Sequence, residues 1–201
     1  MGKGDQTRRA ILERASSLAS RLGLEALSIG RLAQELELSK SGLFAHFQSK
    51  EALEVQIIEF AAERFVENVV KPGLAEARGE PRIRALFERW LDWSRRGAGK
   101  GGCVFVALAA ELDDRPGPAR DRLARAQRDW LTLLANCFRT GIAEGHFRTS
   151  ADPDQFAQDL NGIYLALHHA RRLLHDAGAE PRARRAFAAL LESVRARRRP
   201  N

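Results

Sequence analysis

Three serines, Ser28, Ser39 and Ser49, each stand just ahead of an apolar pattern of helical spacing, and only ten or eleven positions separate one from the next. Serine favours the N-cap because its hydroxyl accepts a backbone N–H that the first helical turn leaves unpaired. The spacing therefore predicts three helix starts in quick succession. From Ser28, the residues Ile29, Leu32, Ala33 and Leu36 share one face, and Glu37-Leu38 then makes a short turn. From Ser39 there is room for barely two turns, with Leu43 and Phe47 four apart on the inner side. Isolated helices shorter than about 12–15 residues are marginal in water. So short a helix must be held by its neighbours, and it exists to be presented to something.

The rest of the chain supplies helices and no strand. Ile11, Ala15, Leu18 and Leu22 recur at helical spacing before Gly23. A long helix from Ser49 runs through Leu53, Ile57, Phe60 and Val69 and should stop near Pro72-Gly73. Glu80-Pro81 opens another with Ile83, Phe87 and Trp90, RRGAGKGG at 95–102 is a flexible break, and Cys103 to Leu112 is a short apolar helix. Pro118 and Pro153 suit first turns of helices. The helix after Asp152 carries Phe156, Leu160, Ile163, Leu167, Ala170 and Leu174 in alternating steps of four and three, the spacing of a seam between near-parallel helices. Pro181 begins a last helix with Phe187, Leu190 and Val194. About nine helices result. The fold class is all-α, and 201 residues at 44% hydrophobic are enough to bury a sizeable core.

Two helices joined by a three- or four-residue turn, after a supporting helix, describe a helix-turn-helix, whose second helix enters the DNA major groove. Leu43, Phe44 and Phe47 would pin that helix against Leu18, Leu22, Leu32 and Leu36. Lys40, Ser41, Gly42, Ala45 and His46 are left on or near its outer face. The stretch LSIGRLAQELELSKSGLFAHFQSKEAL, residues 27–53, resembles the DNA-binding motif of the TetR family of transcriptional repressors, with Leu32-Ala33, Leu38-Ser39, Leu43, Phe47 and Lys50 at the matching offsets. The resemblance extends to the first helix and the all-helical remainder. It implies a helix-turn-helix domain at 5–52, with its motif at about 28–47, and an effector-binding and dimerisation domain at 53–198. The DNA-contacting candidates are Ser28, Arg31, Ser39, Lys40, Ser41, Gly42, Phe44, His46 and Lys50, with Lys40 and Ser41 on base edges. Phe44 belongs to the core first, and Ser28 and Ser39 are caps first. This sequence departs from the family pattern in having Gly30 where Arg is common, Ser41-Gly42 where Gly-Thr is usual, Phe44 for Tyr, and a small Ala45. Direct base readout is thereby thinned, and specificity leans on DNA shape.

The net charge of +7 favours an anionic partner. Much of it lies at residues 181–201, with seven Arg and one Glu. Cys103 and Cys137 match neither a disulfide framework nor a zinc spacing. Met1 is followed by polar residues, and no apolar run approaches the roughly 20 residues that span a bilayer. A reduced, cytoplasmic protein is expected, with no cofactor, no metal and no membrane partner. The expected partners are a palindromic double-stranded operator, a second copy of the chain and an unidentified small apolar or amphipathic effector. The effector pocket would draw on Phe87, Trp90, Phe105, Trp130, Phe138 and Tyr164, with Arg95, Arg96 and Lys100 as a positive mouth. The dimer interface would draw on Phe156, Leu160, Ile163, Leu167, Leu174, Phe187, Leu190 and Val194. One rival is a helical metalloenzyme built on His168, His169 and His175, and another is a DNA-binding protein with no ligand. Cys103 and Cys137 as a redox switch is a further alternative.

Overall fold

The computed structural model describes residues 3–96 and 101–196, without the side chains of Lys3, Phe44 and Arg96. Its elements are α1 (Lys3–Leu22), α2 (Ile29–Glu35), α3 (Lys40–Phe47), α4 (Lys50–Phe65), a π turn (Val66–Val70), α5 (Lys71–Leu74), α6 (Glu80–Arg96), α7 (Val104–Ala107), α8 (Ala109–Leu112), α9 (Pro118–Ala143), α10 (Pro153–Arg172) and α11 (Ala179–Val194). With α4 to α5 counted as one helical body and α7 with α8 as another, the described residues form nine. The architecture is all-α. An isolated bridge between Phe147 and Arg195 is the extended pairing among the described residues. No helix among them is long and apolar enough to cross a membrane.

The chain divides into two compact units. One holds Met1–Glu67 and Asp92–Ala126, the other Asn68–Leu91 and Gln127–Asn201. Residue 53 falls inside α4, so an uninterrupted helix crosses the boundary expected from sequence.

In the first unit, Ile11, Ala15, Leu18 and Ala19 of α1 are buried with Leu32, Ala33, Leu43, Phe47, Leu53, Ile57, Ile58 and Ala61. Val104, Leu108 and Leu112 of α7 and α8 complete that core. Leu22, expected to pin α3, is 39% exposed. Leu24 and Leu27 of the following turn take the buried positions instead. Gly101 belongs to the stretch expected to be a flexible break. It is buried, and an added Cβ would overlap Ser20 of α1. Residues 97–100, including Lys100, lie outside the described residues.

The helical run from Lys50 ends at Leu74, beside Pro72-Gly73 as expected. The helix opens into the π turn and resumes as α5, with Pro72 in its first turn. The wider turn accommodates a residue that lacks an N–H and whose ring crowds the preceding turn. Gly73 then lies so close to Leu86 that a Cβ would overlap that side chain.

In the second unit α10 and α11 pack along one another. Phe156, Leu160, Leu167, Phe187 and Val194 are buried within the single chain. The four-three pattern is thus the internal seam of this unit. Those buried residues are five of the eight expected at a dimer interface, and each packs largely into its own chain. Ile163 and Leu190 are half-buried. Leu174 lies beyond the end of α10 and is 61% exposed. The helix ends early because His175, at φ +50°, turns the chain away.

Candidate nucleic-acid interface

Each helix of the motif starts as its serine dictates. Ser28 Oγ accepts the Arg31 N–H, Ser39 Oγ the Gly42 N–H and Ser49 Oγ the Ala52 N–H, all at 3.0 Å. Ser39 Oγ also lies 3.2 Å from Ser41 Oγ. The turn between α2 and α3 closes when the Leu38 N–H reaches back to the Ala33 carbonyl at 2.9 Å, with Glu37 between them at φ +55°. This is the left-handed stop that glycine usually provides.

Burial of Leu43 and Phe47 fixes the orientation of α3. Its other face exposes Lys40, Ser41, Gly42 and Ala45, with His46 half-buried beside the Phe47 ring. Ser28, Arg31 and Ser39 are also exposed. An open groove between α2 and α3 is lined by Ser28, Ile29, Gly30, Lys40, Ser41 and Ala45. The side chain of Phe44 lies outside the described set. Lys50 points elsewhere: its Nζ donates to the Glu25 carbonyl at 3.3 Å and lies 3.8 Å from Glu54.

Behind this face lies a polar network that the sequence reading missed. Glu111 of α8 accepts the Leu24 N–H at 2.8 Å and the Glu25 N–H at 2.7 Å. Arg115 bonds Glu54 at 2.7 Å and stands 3.8 Å from Glu111. Glu54 is 7% exposed, and burial raises its pKa above the usual carboxylate range despite Arg115 and Lys50. One signal was present. Glu54 sits between Leu53 and Ile57-Ile58 on the apolar side of its helix, where an acid needs a partner. The identity of that partner, 61 positions on, has no local trace.

Two stretches of the chain match known families. Residues 11–57 match the description "Bacterial regulatory proteins, tetR family", and residues 79–187 match "Tetracyclin repressor-like, C-terminal domain". The chain belongs to the TetR family of bacterial regulatory proteins. Its function is that of a DNA-binding transcriptional regulator. It is 28% identical over 164 residues to the HTH-type transcriptional repressor NemR of Escherichia coli (strain K12), across 79% of this chain and 80% of that one. A TetR transcriptional regulator from Chloroflexus aurantiacus J-10-FL has the same fold, with TM-score 0.86 and 26% identity over 98% of this chain and 100% of the other. AibR, in complex with isovaleryl coenzyme A and operator DNA, superposes with TM-score 0.70 at 23% identity over 93% and 97% of the two chains.

The other site residues of this TetR-family chain fall into separate places. Trp90 and Tyr164 stack with centroids 4.1 Å apart, and Phe87 stacks on Phe187 at 3.9 Å. Trp130 lies 6.2 Å from Tyr164. Phe138 belongs to another stack, with Phe147 and Phe156. Phe105 belongs to the first unit, edge-on to Phe65. Phe87 also stacks with Tyr164 at 6.0 Å, so four of the six residues read as one pocket are joined by ring contacts around Tyr164. Tyr164 is 1% exposed, and its hydroxyl has no hydrogen-bond partner among the described residues.

His168 is half-buried, and burial together with Arg172 and Arg171 lowers its pKa to about 4. Among the described residues no group of three or more His, Cys, Asp or Glu is placed to hold a metal. Cys103 and Cys137 are both buried, and burial raises both thiols, which opposes thiolate chemistry. Arg95 bonds Asp92 at 2.9 Å, and the Arg96 side chain lies outside the described set.

Proposed function

We propose that this regulator is a repressor that binds a palindromic operator as a homodimer in the cytoplasm and leaves it when a small apolar or amphipathic effector binds. The observation that carries the DNA assignment is the exposed face of α3, with Lys40, Ser41 and Ala45 across an open groove from α2. In this reading residues 5–52 contact DNA, Lys40 and Ser41 on base edges and Ser28, Arg31, Ser39, Gly42, His46 and Lys50 on or near the backbone. Residues 53–198 serve dimerisation and effector binding. Lys50 must give up its Glu25 carbonyl to reach a phosphate. Two α3 helices would meet half-sites about 34–36 Å apart or a multiple of that. A small shift between them would cost several contacts at once.

The effector site is assigned to the neighbourhood of Tyr164, because a buried hydroxyl without a partner is an unmet donor. AibR, of similar fold, holds a ligand and operator DNA in one complex. The close stacks of Trp90 on Tyr164 and Phe87 on Phe187 favour the second reading, a regulator that answers to no ligand.

DNA fragments selected from a random pool by the full chain test the recognition assignment. Lys40→Ala should weaken binding and relax base preference. Lys50→Ala should weaken selected and random DNA alike and reduce the salt slope by about one. Equal losses on selected and random DNA for both variants would remove Lys40 from base readout.

A further inference from the structure

Gly30 is the second residue of α2 and Lys40 the first of α3. A Cβ added at position 30 would lie 3.1 Å from Lys40 Cε, 3.6 Å from its Nζ and 3.8 Å from Ser28 Oγ. The stem of Lys40 is therefore folded back over bare backbone, in the space that a side chain at 30 would take. Gly30 has no positive φ. Its backbone is one that any residue adopts, and glycine weakens a helix that alanine would strengthen. Conformational freedom does not explain a glycine in a seven-residue helix; the space it leaves does.

We propose that Gly30 is a positioning residue for sequence recognition: by leaving that space it seats the Lys40 ammonium in the groove between α2 and α3, where it meets the O6 and N7 acceptors of a guanine. The proposal rests on the reading of α3 as the recognition helix. A lysine is a compact point charge on a flexible stem. Left free, it would follow the nearest phosphate and carry little sequence information. Laid across Gly30 beside Ser28 and Ser41, its reach is restricted. A long side chain at 30 would return it to solvent. Alanine would move Cε by only a few tenths of an ångström.

The test uses the full chain, the duplex it selects from a random pool, and random duplex. The variants are Gly30→Ala, Gly30→Gln, Lys40→Ala and the double variant Gly30→Gln/Lys40→Ala. The ratio of selected to random affinity should fall about tenfold for Lys40→Ala, within the range of one good base contact. It should fall nearly as far for Gly30→Gln and less for Gly30→Ala. The double variant should be no worse than Lys40→Ala alone. Thermal midpoints of the Gly30 variants should hold or rise, since both replacements are better helix formers. A falling midpoint that tracks the lost ratio overturns the proposal. So does an equal cost of Gly30→Gln with and without Lys40, which would place residue 30 directly against DNA. If Lys40→Ala leaves the ratio unchanged, the recognition assignment fails with it. If Lys40→Ala lowers the ratio and Gly30→Gln does not, only the positioning role of Gly30 fails.

Discussion

Glu111 accepts the backbone N–H of Leu24 across 87 positions of sequence, and its second oxygen takes the N–H of Glu25. Gly23, at φ +81°, ends α1 and brings the chain so close that a Cβ there would overlap the same carboxylate. The turn that sets the start of α2 is therefore held from α8, outside the DNA-binding motif.

Glu111→Ala should cost about 2 kcal/mol, since bonds to a charged acceptor are worth roughly 1.5–3 kcal/mol each and the exposed Glu25 amide can turn to water. Glu111→Gln keeps one acceptor and should cost less. Hydrogen exchange at the Leu24 and Glu25 amides should accelerate in the alanine variant, and affinity for the selected duplex should fall. Unchanged exchange at those two amides would show that the turn holds without Glu111.

Arg115 and Glu54 give a pH-dependent prediction. Burial is the largest influence on Glu54 and raises its pKa. A carboxyl raised in the folded state contributes stability that is fully present below its ordinary value of 4.5 and is lost as pH rises through the raised one. At neutral pH the ionised form depends on Arg115. Arg115→Ala should therefore cost about 1–3 kcal/mol at pH 7, below the range for a fully buried pair because Arg115 is partly exposed. The deficit should shrink as pH falls toward 4.5. Glu54→Gln removes the desolvated charge, keeps an oxygen for Arg115, and should be close to neutral at pH 7. Denaturant titrations across pH 4.5–8 check both; a deficit for Arg115→Ala that grows on acidification would contradict this account.

The local signals were legible in the sequence because they act over three or four residues. Ser28, Ser39 and Ser49 cap as read, and Leu43 and Phe47 bury as their spacing requires. Helical spacing shows that Phe156, Leu160 and Leu167 share a buried stripe, but not what covers it, since a seam inside a chain and one between chains have the same period. Their use in the chain's own core became visible only with α11 in place. In the same way Phe87 and Phe138 are alike in composition, yet Phe87 stacks on Phe187 and Phe138 on Phe147 and Phe156. Glu111 and Gly30 were the least legible, because each acts on a residue of another element through space.

Leu165 is 42% exposed on α10, one turn from Gly162, where a Cβ would meet open space. Leu165 offers apolar surface for a second copy. Leu165→Glu should leave the chain folded, shift it to monomer in sedimentation, and abolish binding to a two-half-site duplex. Leu167→Glu, two residues on and about 200° round the helix, buries a charge in the chain's own core and should cost more than 4 kcal/mol. A dimer that survives Leu165→Glu would move the interface elsewhere.

Tyr164 offers a test with opposite signs in stability and response. Its ring lies on Trp90, and burial holds its phenol well above the usual range, so it stays protonated and can donate. A buried donor with no partner costs roughly 1–3 kcal/mol relative to one that is satisfied. Tyr164→Phe keeps the ring and its stacks while removing the unmet group, so the thermal midpoint should rise, by about 1 kcal/mol equivalent. A ligand that accepts from this hydroxyl would lose that bond. In the unaltered chain, such a ligand should shift tryptophan emission, because Trp90 and Trp130 flank Tyr164, and should release the selected duplex with the same midpoint. A coupling of about 1–3 kcal/mol is the ordinary range. In Tyr164→Phe the emission shift and the release should weaken together while DNA affinity without ligand stays the same. A screen of amphipathic acceptors that moves neither signal in the unaltered chain, together with a stabilised Tyr164→Phe, would favour the regulator that answers to no ligand.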